Sequence, residues 1–171
     1  MTGKGHWDLP WKRRPVEEAI NFNPAFCGEL IFRAVRQYEK AAKRSMGLPL
    51  SFLVLPLVLH KQTRDELPQK ADTAFVGWVS GRGPLLAGLP DRALRLAPFT
   101  REALLLMMQQ GFLVAQGDGI APGGKRFKAA AIAARTTEDT DEARSAAELV
   151  GRWFARQGQP GLVMQALGVK P

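Results

Sequence analysis

The sequence predicts a mainly α-helical protein with one small β-hairpin. A helical N-terminal part precedes a unit like a winged helix-turn-helix, and further helices follow. Two observations carry this prediction. Apolar residues recur at helical spacing after helix starts at Asn23-Pro24 and at Thr136 or Thr137. A strand-like run, Phe112–Gln116, leads into the turn signal Gly117-Asp-Gly119.

Composition divides the chain into four stretches, which we expect to form one compact domain. Residues 1–15 read as a basic and aromatic arm, and residues 16–68 as a helical part built around a buried segment. Residues 69–130 form the winged-helix-like unit, and residues 131–171 the C-terminal helices. A chain of 171 residues that is 46% hydrophobic is long enough to bury one core.

The charge is uneven along the chain. The net charge is +8, and residues 1–64 hold eleven Lys and Arg against five Asp and Glu. Such a basic half attracts polyanions, or serves solubility alone, and composition leaves both interpretations open. The single cysteine, Cys27, fits a reducing cytoplasm, and we see neither a cleavable leader nor an apolar run long enough to span a membrane.

The arm carries a basic cluster beside two tryptophans. Lys12, Arg13 and Arg14 lie next to Trp7 and Trp11, a combination that suits nucleic-acid phosphates and bases. We favour docking of the tryptophans on the parent domain or on a partner. The three cations are nevertheless our candidates for contact with a nucleic-acid backbone.

The first helix begins at Asn23-Pro24, because Asn is a preferred N-cap and Pro is favoured at the first helical position. We expect it to end near Arg44–Gly47. Its basic residues lie mostly off the apolar face, so they form either a solvated surface or a grip on phosphates. Cys27 lies on the apolar face and is most simply a small buried residue.

The stretch Leu48–Lys61 is the most apolar part of the chain, and from Leu48 to Leu59 only Ser51 is polar. We predict a fully buried helix, kinked by Pro56. His60 has no second ligand at metal-binding spacing and is interpreted as a structural histidine at a helix end. The pattern Thr63-x-x-Glu66 then matches a capping box.

In the second unit, Leu85–Leu96 predicts short helical pieces around Pro90, and Thr100 can cap a separate helix, Arg101–Gln110. Gly111 closes that helix, and the hairpin follows. This order is typical of a winged helix-turn-helix.

As a DNA reader, this unit is a poor match. Leu and Met dominate the helix before the wing, and only Arg101, Gln109 and Gln110 could reach base edges. We therefore predict that the unit serves protein contact. The basic residues of the wing could still touch phosphates without sequence preference. They are Lys125, Arg126 and Lys128.

The stretch Gly119–Lys125 has the spacing of a phosphate-binding loop, but Arg126 stands where Ser or Thr should hold magnesium. Pro122 also removes an amide donor. A glycine-rich wing tip explains the same residues. The only histidines, His6 and His60, give a catalytic triad or metal centre little to work with. We predict no catalytic site, no metal and no cofactor.

The last long helix starts at Thr136 or Thr137, with acids in its first turn and Arg152 and Arg156 in its last. A short helix, Leu162–Leu167, follows.

Several phrases together resemble one family, and the resemblance spans roughly Val16–Leu167. They occur in a fixed order: Asn23-Pro-Ala-Phe-Cys27, the segment Pro49–Lys61, Thr63-Arg64 with Leu67-Pro68, and Pro98-Phe-Thr-Arg-Glu-Ala-Leu104. This combination resembles the middle component of bacterial three-component ABC-ATPase systems.

The resemblance implies a small non-enzymatic subunit encoded between a large ABC ATPase, of the structural-maintenance or recombination type, and an effector. Such systems look like defences against phage and other mobile DNA. The family offers no catalytic residues to carry over. We take the charged end of the central run as a candidate partner contact, together with one residue of the later helix. These residues are His60, Lys61, Arg64 and Arg101.

Three hypotheses follow. The first is an adaptor that couples a DNA-associated ABC ATPase to an effector. The second is an autonomous winged-helix DNA-binding regulator, motivated by the net charge and the basic wing. The third is an NTPase that uses Gly119–Lys125, in which Lys125→Ala would abolish hydrolysis.

Overall fold

A computed structural model describes residue 13, residues 22–134 and residues 136–170. This part of the chain contains nine helices and a small antiparallel sheet of three short strands. The helices are α1 (Pro24–Ala42), α2 (Leu48–Val58), α3 (Lys61–Asp65), α4 (Phe75–Ser80), α5 (Gly83–Leu86), α6 (Leu89–Gln109), α7 (Ala129–Ala133), α8 (Glu138–Ala155) and α9 (Pro160–Ala166). The strands are β1 (Met46–Gly47), β2 (Leu113–Gln116) and β3 (Gly119–Pro122). The prediction of a mainly α protein with a small β-hairpin is confirmed.

Helix α1 begins as predicted. The Asn23 side chain accepts a 2.8 Å hydrogen bond from the backbone N–H of Ala25, and Pro24 opens the helix. Lys43 ends it in the left-handed conformation, with φ of 57°. The apolar face of α1 packs against α8 and α6, and Cys27 on that face is fully buried.

Helix α2 is the predicted buried segment, and it continues through Pro56 to Val58. Its residues from Leu53 to Val58 are all buried. They belong to one hydrophobic core that also takes residues from α1, α6, α8 and α9. The prediction of full burial is wrong for the first half of α2, where Leu48 is 42% exposed and Phe52 is partly exposed.

Helix α6 differs from the prediction. We expected short pieces around Pro90 and a new helix capped by Thr100, but one helix of 21 residues runs through both Pro98 and Thr100. Pro90 opens this helix, where its missing N–H costs nothing. Thr100 is fully buried in the helix interior and caps nothing. The apolar face that α6 packs on α1 and α2 outweighs the local break signal.

The consequence concerns the predicted helix-turn-helix. The two helical pieces that should flank its turn are parts of α6, so the described chain has a long helix followed by a hairpin and lacks that turn. The prediction of a capping box that begins at Thr63 is also wrong. Residue His60 caps α3, and Thr63 is a buried residue of that helix.

The hairpin forms as predicted, with Gln116 opposite Gly119 and Gly117 at φ of 61°. The sequence did not indicate β1, whose Met46 pairs with Ile120 and joins the end of α1 to the hairpin. A side chain at Gly119 would overlap the carbonyl of Met46, so this pairing requires glycine.

Helix α8 is capped by Thr137, one of the two predicted residues, whose hydroxyl accepts a 3.3 Å hydrogen bond from the Thr140 N–H. The helix crosses α1 at close range. A Cβ at Gly151 would overlap the carbonyl of Ala34 in α1. The last helix, α9, then covers one end of α2.

Candidate partner-binding surfaces

An apolar groove of about 600 Å³ lies between α2, α6 and the C-terminal end of the chain. One wall is a single face of α6, formed by Pro90, Ala93, Leu94, Ala97 and Arg101. Leu48, Pro49 and Phe52 of α2 form the opposite wall, and Met164, Gly168 and Val169 close the end. From Pro90 to Arg101 the α6 wall is about 16 Å long at 1.5 Å per residue.

The groove exposes large apolar side chains. Leu94 is 75% exposed at its edge, and Leu48 across from it is 42% exposed. Single exposed leucines are ordinary on a protein surface, but an apolar concavity with exposed leucines on both sides is typical of a binding site. Leu105, which is 60% exposed on α6, does not line the groove.

Arg101, a predicted partner contact, lies on the wall of this groove. Its guanidinium carbon is 5.9 Å from the centre of the Phe52 ring. Within the described residues the side chain of Arg101 makes no ion pair or hydrogen bond. The same holds for the side chain of Lys170 at the end of the groove. Two cations therefore border the apolar surface, with Asp91 as the one acid among its lining residues.

The charged corner after α2 is built around His60. Its Nδ1 accepts a hydrogen bond from the Thr63 N–H, and the Thr63 hydroxyl lies 2.8 Å from the same nitrogen. Arg92 of α6 donates to that hydroxyl at 3.0 Å and to the carbonyl of Pro56 at 2.9 Å. Partial burial, and then the charge of Arg92, lower the pKa of His60, so the neutral ring is favoured. The structure places His60 at the end of a helix, as predicted, and its role as a partner contact stays a prediction.

Arg64 of this corner turns inward. Its side chain is only 5% exposed, and its guanidinium donates to the carbonyl of Val58 at 2.8 Å. It also pairs with Asp139 and Glu142, which ties α3 to the start of α8. The cation that faces solvent is Lys61, whose pKa is raised because Asp65 accepts its hydrogen bond. Of the predicted contacts here, Lys61 offers a partner the most accessible charge.

The basic residues after the hairpin that we predicted to contact a nucleic-acid backbone are all on the surface. Lys125, Arg126 and Lys128 are exposed, and Arg126 lies 5.9 Å from the ring centre of Phe32 in α1. Phe32 packs edge-on against Phe127 with 5.3 Å between ring centres. This aromatic contact places the basic end of the hairpin beside the outer face of α1. Exposed cations of that face and of the following turn are Arg36, Lys40, Lys43 and Arg44.

The arm contributes little that can be described. Arg13 is exposed, whereas Lys12 and Arg14 lie outside the described residues, as do the tryptophans Trp7 and Trp11.

We expected the glycine-rich segment Gly119–Lys125 at the tip of the hairpin, but Gly117 and Asp118 form the tip. The segment begins with strand β3 itself, and its residues 123–125 follow at the base of the hairpin. Two of its amides are already used. The N–H of Gly123 donates to the carbonyl of Phe112 at 2.7 Å, and that of Lys125 donates to Gly111 at 3.1 Å. A phosphate-binding loop needs such amides free. Among the described residues no group of three or more His, Cys, Asp or Glu could hold a metal ion.

Sequence reasoning missed a buried charge network between α1 and α8. Arg144 donates to both carboxylate oxygens of Glu29, at 2.8 and 3.2 Å, and Arg33 donates to Glu29 at 2.8 Å and to Glu148 at 2.6 Å. Glu29 and Arg144 are 115 positions apart. The available signal was a glutamate on the apolar side of the α1 pattern. Nearby, burial raises the pKa of Cys27 to about 12, so its thiol stays protonated and inert.

Fold and surface together define a small, mainly helical protein with an open apolar groove and a separate basic surface. No described helix has both the length and the apolar character needed to cross a membrane. The family model of the ABC-three component (ABC-3C) system Middle Component 3 matches residues 11–171, and the chain belongs to this family. Searches of curated proteins and of solved structures gave no match.

Proposed function

We propose that the chain is a non-enzymatic adaptor that links a DNA-associated ABC ATPase to an effector protein. In this proposal both partners are encoded nearby, the complex acts in the cytoplasm against phage and other mobile DNA, and the adaptor needs no cofactor. Membership of a three-component system implies partner proteins. The observation that supports the adaptor role best is the apolar groove with Leu48 and Leu94 exposed at its sides.

An adaptor needs at least two surfaces that can be occupied at once. The groove and the basic surface of α1 and the hairpin share no residues, and they differ in chemistry. One suits an apolar protein segment. The other suits an acidic protein surface or the phosphates of DNA.

Co-purification with the products of the neighbouring genes tests this proposal. The chain should be retained by the ATPase component and by the effector component when each is purified alone and mixed with it. A chain that binds neither component and remains a monomer would refute the adaptor role.

The alternative is an autonomous DNA-binding regulator, which the exposed cations Lys125, Arg126 and Lys128 favour. Binding that is merely salt-sensitive would not support it, because any basic surface shows that behaviour. Strong preference for one DNA sequence, lost on Arg101→Ala, would support it. Equal affinity for unrelated duplexes would leave the hairpin at most a contact with the DNA backbone, within the adaptor proposal.

A further inference from the structure

We infer that the groove binds an amphipathic α-helix of another component of the system. The apolar side chains of this helix would face α6, and its acidic residues would face Arg101 and Lys170. The inference rests on the proposed function and adds the secondary structure and the charge of the bound segment. Three observations support it: the helical walls of the groove, the small side chains on its α6 wall, and the two cations at its border.

The walls favour a helix over an extended strand. The long sides of the groove are the helices α2 and α6, whose interior backbone groups are hydrogen-bonded within each helix. A strand laid between them would find no row of free N–H and C=O groups to pair with. A helix satisfies its own backbone and needs only side-chain contacts. The α6 wall, about 16 Å long, accommodates roughly three turns of such a helix.

The α6 wall allows that helix to approach closely. On the α6 face the residues between Pro90 and Arg101 include two alanines, Ala93 and Ala97. Small side chains permit short distances between helix axes. Leu94 and Phe52 rise on either side and can pack between the apolar residues of the incoming helix, which recur at i, i+3 or i+4, and i+7.

The charge of the partner follows from Arg101 and Lys170. Neither has an ion-pair partner among the described residues, and Asp91 is the only acid among the residues lining the groove. Arg101 is held over the ring of Phe52 and keeps its N–H groups free for a carboxylate, which it can bind with two hydrogen bonds. An acidic amphipathic helix therefore complements both the apolar and the charged parts of the groove.

A second copy of the chain fits less well. Its most acidic helix is α8, but the apolar face of α8 packs on α1 and cannot also fill a groove, and Asp139 and Glu142 pair with Arg64. Those carboxylates are already used within the fold. We accordingly assign the groove to a different component.

The experiment uses the full-length chain with the purified ABC ATPase and effector components and measures the affinity for each by calorimetry. Ala97→Trp places a large side chain on the α6 wall of the groove. We expect it to weaken binding of one component by about 30-fold or more, as at an interface hot spot. Arg101→Glu should weaken the same interaction by about 10-fold. Val76→Glu is the control, because Val76 is 70% exposed on α4 and does not line the groove, and this variant should stay within about twofold of the unsubstituted chain. Circular dichroism verifies that each variant is folded.

Hydrogen exchange on the complex then identifies the protected segment of the partner. A helical segment with more Asp and Glu than Lys and Arg supports the inference, as does recovery of Arg101→Glu binding when a partner carboxylate is changed to Lys. A protected segment that is extended or basic overturns it. So does a dimer of this chain that Ala97→Trp dissociates. If the unsubstituted chain binds a component and Ala97→Trp binds equally well, the inference fails while the adaptor proposal stands. If the unsubstituted chain binds neither, the adaptor proposal itself fails.

Discussion

Two arginines, Arg33 of α1 and Arg144 of α8, donate to the carboxylate of Glu29, and this arrangement explains why α1 and α8 meet in one register. The Glu29 and Arg144 side chains are 7% and 6% exposed, so neither charge is well hydrated. A buried pair of this kind adds little net stability, but removing one partner leaves the other charge unpaired. The pair therefore specifies how the helices meet, and its loss should be costly.

We predict that Glu29→Gln lowers the free energy of unfolding by about 3 kcal/mol, because Arg144 loses its buried counter-charge. Urea denaturation measures this change. The control is Glu66→Gln, which removes a 3.3 Å ion pair to Arg82 from a residue whose side chain is 57% exposed. We expect that control to cost less than about 1 kcal/mol. Equal effects of the two substitutions would show that the Glu29 network is not buried in solution.

His60 should make stability depend on pH. Its pKa in the folded chain lies below the ordinary value of 6.5, because partial burial and Arg92 disfavour the imidazolium. The unfolded chain therefore takes up the proton first, and stability that is present above pH 6.5 is lost as the pH falls through the lower folded pKa. Protonated Nδ1 can no longer accept from Thr63.

The comparison is with His60→Asn, which keeps a good N-cap but does not titrate. The difference in unfolding free energy between the two proteins should be constant above about pH 7.5 and shift against the histidine form below about pH 6.5. Urea denaturation at several pH values measures it. Parallel stability curves down to about pH 5 would contradict the folded-state environment described for His60.

Among the elements, α1, α2 and α8 could be predicted because their signals are local. Asn23-Pro24 and Thr137 are capping residues, and the apolar run Leu48–Leu59 has no polar face to expose. Helix α6 could not be predicted whole, since Pro98 and Thr100 resemble a helix boundary and only packing on α1 and α2 overrides them. Strand β1 has two residues, and its pairing with Ile120 leaves no periodic pattern in the sequence.

The candidate surfaces divide in the same way. Exposed charges such as Arg101 and Lys125 could be identified from the sequence because charged residues usually face solvent. The burial of Arg64 could not be predicted from the sequence, because the acids that bind it lie 75 and 78 positions away. The groove was not predicted at all, because its walls come from three parts of the chain that only the fold brings together.

Thr100→Val tests whether α6 is continuous. The Thr100 hydroxyl is buried without a hydrogen-bond partner in the described structure, so replacing it with a methyl group should leave stability unchanged or raise it by up to about 1 kcal/mol. If Thr100 were a true N-cap, its replacement by valine would instead lower the free energy of unfolding by about 1 kcal/mol. We expect that loss for Thr137→Val at the start of α8. Thermal or urea unfolding distinguishes the two. A loss at Thr100 equal to that at Thr137 would restore the helix boundary that the sequence suggests.

Gly151→Ala tests the crossing of α1 and α8. A methyl group there would overlap the backbone of Ala34, which cannot move aside as a flexible side chain could. We expect a loss of about 3 kcal/mol in unfolding free energy. Gly161→Ala is the control, because nothing lies within 4 Å of its added methyl group and alanine favours the helix. If both variants are as stable as the original chain, the two helices do not approach this closely.

The molecule as a whole combines a rigid helical core with surfaces that the core does not use. Buried groups such as Glu29, Arg64 and Arg144 specify how α1, α3 and α8 pack together. The groove and the hairpin cations remain available. The chain belongs to the middle components of ABC-three component systems, and this membership implies partner proteins.

The most direct test of the adaptor proposal is a bridging measurement. The ABC ATPase component is immobilised, and retention of the effector component is measured with and without this chain. We predict that the effector is retained only when the chain is present, that Ala97→Trp reduces its retention, and that Val76→Glu on α4 does not. An effector that binds the ATPase equally well without this chain would contradict the adaptor proposal.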